Sequence, residues 1–263
     1  MFLLLLFPGM LSLGPLRLPV FGVFVALGLV LALWFSLLTA RRARLSADRV
    51  WNAGFFAAVA AFVASRLLLV VADPRDFLHY PLLLLAAPSL TWGGMVLTVL
   101  ATWVYLRRKR LPVDRVADAW TPCACVLAAV LQMGHWVEGT DAGMPTTHWF
   151  GVRLPGDGAL GAVWPVQGVA IAAALVLGAW AWSCLGLARR GEIASRTLVL
   201  GGAAAFLLDF VRQPESVVSS LPLDPGQFAA VAAMIGGACW WVLLPQDAEG
   251  TAERMKEGRR EGL

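Results

Sequence analysis

The chain has 263 residues, of which 59% are hydrophobic and 14% charged, with a mean hydropathy of +0.72. A water-soluble domain of this size cannot hide so much apolar surface, so an integral membrane protein is expected. The formal net charge of +4 and the pI near 9.2 come from arginines split among three short loops, a pattern that excludes a nucleic-acid face and suits anionic lipid headgroups.

The start, Met1 to Gly9, is apolar but lacks a positive n-region, and Pro8, Gly9, Gly14 and Pro15 interrupt it. A cleaved signal peptide is therefore not expected, and residues 1–18 read as an apolar arm on the outer face. Apolar stretches close to the roughly 20 residues that a bilayer requires then follow at Pro19–Ala40, Asn52–Ala72, Leu82–Leu106, Ala119–Trp136, Pro165–Ala188, Thr197–Arg212 and Gln227–Leu244. The predicted fold class is all-α, a seven-span membrane domain over residues 19–245. Pro88 and the Gly93-Gly94 pair interrupt the third stretch, which could divide into an interfacial segment and a helix. Residues 246–263 read as a polar tail of mixed charge.

Arginine placement orients the bundle. Arg41, Arg42, Arg44 and Arg49 follow span one, Arg107, Arg108, Lys109, Arg110 and Arg115 follow span three, and Arg189, Arg190 and Arg196 follow span five. The positive-inside rule makes these loops cytoplasmic. Alternate loops carry Asp73, Asp76, Glu138, Asp141 and Asp157 with isolated basic residues. The N-terminus is then outside and the C-terminus inside.

The four cysteines, Cys123, Cys125, Cys184 and Cys239, give no disulfide framework. Cys-Ala-Cys on a helix is not a zinc spacing, so they read as packing residues, with neither metal nor cofactor expected. The informative positions are polar residues in the outward halves of the spans, where an ionised side chain costs about 2.5–3.5 kcal/mol on insertion scales. Arg66 lies deep in span two. Gln132, His135 and Glu138 close span four, the first two on one helical face, and Gln167 opens span five. Asp209 and Arg212, one turn apart, end span six and read either as a site or as a salt-bridged helix end. Together these residues suggest a polar cavity open to the outer side, although each alone could be a satisfied core residue.

Several segments resemble the prolipoprotein diacylglyceryl transferases. Val116-Ala-Asp-Ala-Trp-Thr-Pro122, followed by a span ending Gln132-Met-Gly-His-Trp-Val-Glu-Gly139-Thr-Asp-Ala-Gly143, looks like the region running from an Ala-Asp…Pro helix start into the family's Gly-Arg-x-Gly-Asn-Phe-x-Asn-Gly-Glu segment. Trp164-Pro-Val-Gln167 resembles its His-Pro-[Ser/Thr]-Gln. Phe206-Leu-Leu-Asp-Phe-Val-Arg-Gln-Pro-Glu215 is similar to Arg-x-x-x-Glu-Phe-Phe-Arg-x-Pro-Asp, and Asp224-Pro-Gly-Gln227 to the Met-Gly-Gln that opens the last helix. Arg66 falls where the family has Gly-Ala-Arg, and Trp92-Gly93-Gly94 where it has His-Gly-Gly. The order is kept from about Val20 to Leu244.

The resemblance implies transfer of a diacylglyceryl group from phosphatidylglycerol to the thiol of a lipobox cysteine in a lipoprotein precursor, with phosphatidylglycerol or a related anionic phospholipid, the precursor signal peptide and the membrane as partners. It retains Arg66, Gly134, Gly139, Gly143, Pro165, Gln167, Arg212 and Gln227, with Asp209 in place of a glutamate. It departs at Trp92, where the family's functionally critical histidine falls, at Gln132 for an arginine, His135 and Glu138 for two asparagines, Thr140 for a glutamate, Ala205 for an arginine and Phe21 for a tyrosine. On this basis Arg66, Gln132, Gln167, Asp209 and Arg212 are expected to bind the phospholipid. His135, polarised by Glu138, is expected to serve as a relocated catalytic base. The alternative is a noncatalytic phospholipid-binding or lipoprotein-handling relative on the same scaffold.

Overall fold

A computed structural model describes residues 10–13, 16–72, 92–153, 161–213 and 224–244. Within them, seven helices follow a two-stranded hairpin: β1 Met10–Leu13, β2 Leu16–Pro19, α1 Val20–Arg42, α2 Ala47–Ala72, α3 Trp92–Arg108, α4 Val113–Glu138, α5 Val166–Cys184, α6 Glu192–Asp209 and α7 Pro225–Leu243. Five of them, α1, α2, α4, α5 and α7, are long and apolar enough to cross a membrane by length and composition. α3 has 17 described residues, and α6 includes Glu192, Arg196 and Asp209 within its 18. The segment 73–91, which includes the predicted start of the third span, and the tail 246–263 lie outside the described residues.

The hairpin precedes the helical domain, almost all of it in the segment 1–18 that the sequence read as an arm. β1 and β2 pair antiparallel with Met10 opposite Pro19 and Leu13 opposite Leu16. Leu-Ser-Leu-Gly-Pro-Leu-Arg-Leu alternates apolar and polar residues around a Gly-Pro turn signal, a period-2 pattern that the overall hydrophobicity obscured.

The bundle has an apolar outside. Val30 and Trp34 on α1, Leu67 and Val71 on α2, and Val176 on α5 are 58–76% exposed, as suits surfaces that meet lipid rather than water. Ser36, Thr39, Ser65, Thr102, Asp118 and Gln167 are buried instead. Two of these hydroxyls are satisfied by their own helix backbone: Ser36 Oγ donates to the Leu33 carbonyl (2.6 Å) and Ser65 Oγ to that of Phe62 (2.8 Å), a local bond that removes the cost of an unpaired polar group, whereas Thr102 Oγ1 has no hydrogen-bond partner among the described residues.

α1 packs chiefly on α4, α4 on α5, α2 on α3, and α6 on α7. The α6–α7 contact is close enough to exclude side chains. A Cβ on Gly202 would lie 2.8 Å from the Ala230 carbonyl oxygen, and one on Gly237 would lie 2.7 Å from that of Ser195. Small residues let backbones approach in this way where lipid offers no hydrophobic drive for association.

A second device joins α4 to α6. Asp118, 6% exposed, accepts the Gly191 N–H at Oδ2 (2.6 Å) and the Ala194 N–H at Oδ1 (2.9 Å). It therefore satisfies the first-turn amides of α6 from another helix, where the local cap, Gly191 at φ 83°, has no side chain to do so. Connectivity sets the two ends of the bundle. The short link 43–46 makes α1 and α2 antiparallel, so the α1–α2 link, the start of α4 and the α5–α6 link share one end. The start of α1, the end of α4 and the start of α5 share the other.

Candidate functional site

The site is built where α4 stops. Gly139 adopts φ 75° and receives the helix end, and the Thr140 N–H donates back to the His135 carbonyl (3.1 Å). This αL reversal brings the Thr140 side chain against its own helix. His135 Nδ1 lies 2.9 Å from Thr140 Oγ1, and Thr140 Oγ1 donates a long bond, 3.5 Å, to Glu138 Oε2. A hydroxyl has one proton, so a Thr140 that donates to Glu138 accepts from His135 Nδ1–H, leaving Nε2 as the imidazole's free acceptor. The His135 ring also packs on Phe21 of α1, with centroids 4.4 Å apart. Glu138 thus reaches His135 through Thr140, a residue that the sequence reading noted only as a replacement.

The loop beyond is clamped from two sides. Gln167, in the first turn of α5 and 1% exposed, donates from Nε2 to the carbonyls of Thr140 (3.0 Å) and Asp141 (2.9 Å). Asp141 itself sits at φ 60°, a left-handed position that aspartate tolerates better than most residues. On the other side, the chain after α6 pairs with the loop. Met144 N–H donates to the Val211 carbonyl (2.8 Å) and Gln213 N–H to that of Ala142 (3.0 Å), an isolated antiparallel bridge between Gly143 and Arg212. Gly143 has to be glycine, because the Trp164 carbonyl oxygen fills the place of a side chain.

That pairing corrects the predicted end of span six. The α6 helix closes at Asp209, and Arg212 lies beyond it in the bridge, because after two turn bonds (Val211 N–H to the Leu208 carbonyl and Arg212 N–H to that of Asp209) the Val211 carbonyl and Gln213 N–H pair with the loop instead of continuing the helical ladder. The intrahelical pair is therefore secondary. Arg212 Nε lies 3.1 Å from Asp141 Oδ1, whereas Arg212 Nη1 lies 3.9 Å from Asp209 Oδ1. Nε–H is not aimed along the shorter contact, so this is an ion pair without an aligned hydrogen bond. Asp209 also faces the first turn of α7, where a Cβ on Gly226 would sit 3.2 Å from its Oδ1. The α7 start is fixed by Pro225 at N1 and by Gln227 Oε1, which accepts the Asp224 N–H (3.3 Å), one arm of a capping box.

Of the seven predicted residues, His135, Glu138, Gln167, Asp209 and Arg212 thus meet around the 139–144 loop. Gln132 lies one turn earlier on α4, half-buried, and its buried Oε1 has no hydrogen-bond partner among the described residues. Arg66 is 6% exposed, with its guanidinium carbon 5.3 Å from the Phe62 ring centroid. The direction of α2 puts it in the same half of the bundle, but the hydrogen bonds and ion pairs of the loop network do not include it.

A family model, prolipoprotein diacylglyceryl transferase, matches residues 8–243, nearly the whole chain. The chain belongs to the prolipoprotein diacylglyceryl transferase family. Curated relatives carry the name phosphatidylglycerol–prolipoprotein diacylglyceryl transferase. One from Coxiella burnetii is 26% identical over 87% of this chain and 92% of its own, and one from Cupriavidus metallidurans is 27% identical over 88% and 90%. One from Bifidobacterium adolescentis is 27% identical over 56% of this chain, and this chain spans only 46% of its length. Within the prolipoprotein diacylglyceryl transferase family, the loop that Gln167 and Arg212 clamp is the segment that the sequence matched to the family's long motif. Thr140 and Asp141 are the residues missed. Thr140 is marked in the sequence only as the replacement of a family glutamate, whereas Asp141 is an acid five residues beyond the predicted end of span four at Trp136, opposite the basic Arg212 at the predicted end of span six.

Proposed function

We propose that this protein is a phosphatidylglycerol–prolipoprotein diacylglyceryl transferase of the bacterial inner membrane, with seven spans, the N-terminus outside and the C-terminus inside. The observation that carries the reading is the clamp of His135, Thr140, Asp141, Gln167 and Arg212 at one end of the bundle, within a chain whose family relatives bear that name. In the reaction, the lipobox thiolate attacks the glyceryl carbon that bears the phosphodiester oxygen of phosphatidylglycerol. The carbon–oxygen bond breaks, a carbon–sulfur thioether forms, and glycerol phosphate leaves with the bonding pair.

A thiol has a pKa near 8.5, so a base has to generate the thiolate. His135 is assigned this role: Nε2 takes the thiol proton while Nδ1–H stays on Thr140, and Glu138 offsets the imidazolium through the Thr140 hydroxyl. Arg212 and Arg66 hold phosphate oxygens in ground and transition states, where a planar guanidinium engages two oxygens and an ammonium would act as a point charge. Gln132 adds amide donors. Asp141 and Asp209 aim Arg212, and Gln167 acts on the loop backbone as a positioning residue.

The test is a purified, full-length chain in phosphatidylglycerol vesicles with a lipobox peptide. Wild type is expected to add a diacylglyceryl mass to the peptide cysteine. His135→Gln, which keeps a hydrogen-bonding side chain without a titratable ring, is expected to lower transfer by at least about 100-fold, the usual contribution of general-base catalysis. Full activity in that variant would sink the relocated base. Lipid binding without transfer in the wild type would make the protein a noncatalytic relative, consistent with Trp92 and Ala205 in place of a histidine and an arginine.

A further inference from the structure

At the end of the bundle opposite His135, the α1–α2 link, the first turns of α4 and the α5–α6 link enclose a cavity of about 150 Å³. Its walls include Arg44, Arg115 and Arg190, one from each of three separate segments, together with Asp118 and Gly186. Asp118 and His135 are 17 positions apart on α4, which at 1.5 Å per residue puts the cavity roughly 25 Å from the candidate reaction site. The two sites therefore meet opposite leaflets.

Arg44 and Arg190 are exposed and Arg115 is half-buried, so solvent eases their mutual repulsion only in part, and an anion that joins the three guanidinium groups would relieve the rest. Among the described residues, no hydrogen bond or ion pair engages the Arg44, Arg115 or Arg190 side chain. Asp118, which lines the same space, offsets at most one of the three positive charges, and both its oxygens already accept α6 amides (2.6 and 2.9 Å). The cavity has room for about five waters at ~30 Å³ each, a space suited to a phosphate and not to an acyl chain. Gly186, which lines the space, sits at φ +86°, a conformation that disfavours any side chain, and a Cβ there would lie 3.2 Å from the Arg42 carbonyl oxygen. Beside it, between two lining residues, Leu187 is 86% exposed, an apolar contact for whatever lies at the mouth.

We infer that this cavity binds the phosphate of an anionic phospholipid from the leaflet facing the basic loops, with the three guanidinium groups on the phosphate oxygens and Leu187 against the lipid's glycerol and upper acyl chains. Basic pockets between membrane helices recognise lipid phosphates by this combination of charge and depth, and the exposed leucine favours a lipid over a free phosphate. The site fastens the two links to α4 and, through Asp118, the start of α6. It does not depend on the transferase reading.

The experiment reconstitutes the full-length chain in vesicles of equal phosphatidylcholine and phosphatidylglycerol, extracts it into detergent, and counts retained lipids by native mass spectrometry. Wild type is expected to keep a phosphatidylglycerol that survives Arg212→Gln and is lost, by roughly tenfold or more, in the triple variant Arg44→Gln, Arg115→Gln, Arg190→Gln. The matching triple lysine variant, which keeps the charge and controls for folding, is expected to retain most of it. Equal retention in the triple glutamine variant, or equal retention of phosphatidylcholine by the wild type, would overturn the site. Displacement of that lipid by millimolar inorganic phosphate, with no loss on dilution into phosphatidylcholine alone, would overturn its assignment to a lipid. Loss of a separate phosphatidylglycerol in Arg212→Gln reports on the transferase site and leaves this one standing.

Discussion

Arg212 has two carboxylates within reach, and their distances rank them. Asp141 at 3.1 Å and Asp209 at 3.9 Å are both partly shielded, with side chains 22% and 14% exposed. The nearer one also belongs to the loop that carries Thr140, so its loss disturbs the arginine and the histidine support together. Asp141→Asn is expected to destabilise the fold by about 1 kcal/mol and to depress transfer well beyond that, whereas Asp209→Asn is expected to change both less. A double-mutant cycle with Arg212→Gln, read by thermal unfolding and by peptide lipidation, separates the two pairs. A larger coupling to Asp209 than to Asp141 would reverse the ranking.

At the scale of elements, α6 and α7 each contain a Gly-Gly pair, 201–202 and 236–237, and only one member of each faces the partner helix. A Cβ on Gly201 would find only Leu177 Cδ1, 3.8 Å away, and one on Gly236 nothing within 4 Å. Gly202→Ala and Gly237→Ala are therefore expected to lose about 1–3 kcal/mol by overpacking. Gly201→Ala and Gly236→Ala are expected to be neutral or to gain up to ~1 kcal/mol from helix propensity. Denaturation in detergent of the four single variants checks the alternation, and a uniform response across all four would show that close approach is not what these glycines supply. The same interface holds the α7 start beside Asp209, so splaying it is also expected to reduce transfer.

For the whole molecule, the basic loops and the clamped 139–144 loop lie at opposite ends, and the proposed orientation follows from arginine asymmetry. In a variant with all four cysteines replaced by alanine, Thr147→Cys is expected to react with a membrane-impermeant maleimide added outside intact spheroplasts. Ser46→Cys in the α1–α2 link is expected to react only after permeabilisation. Both positions are exposed, so a reversed pattern would invert the topology and place the candidate reaction on the cytoplasmic side.

The membrane class, the positions of the long helices and the set of polar residues worth attention were legible along the chain before any fold was known. Hydropathy averaged over about 20 residues and charge counts at span ends are local quantities. The motif resemblance was local as well, and it marked both segments that the clamp brings together. How those residues are joined emerges only in the folded chain: Glu138 reaches His135 through Thr140, Gln167 spends its amide on two loop carbonyls, and Arg212 pairs with Asp141 from outside the helix. The fold also decided that Asp118 caps a helix 73 residues further on, and that Arg44, Arg115 and Arg190 surround one cavity. Each of these depends on which backbone groups were left without partners where helices end, and those needs are met by side chains distant in sequence, so no window along the chain contains them.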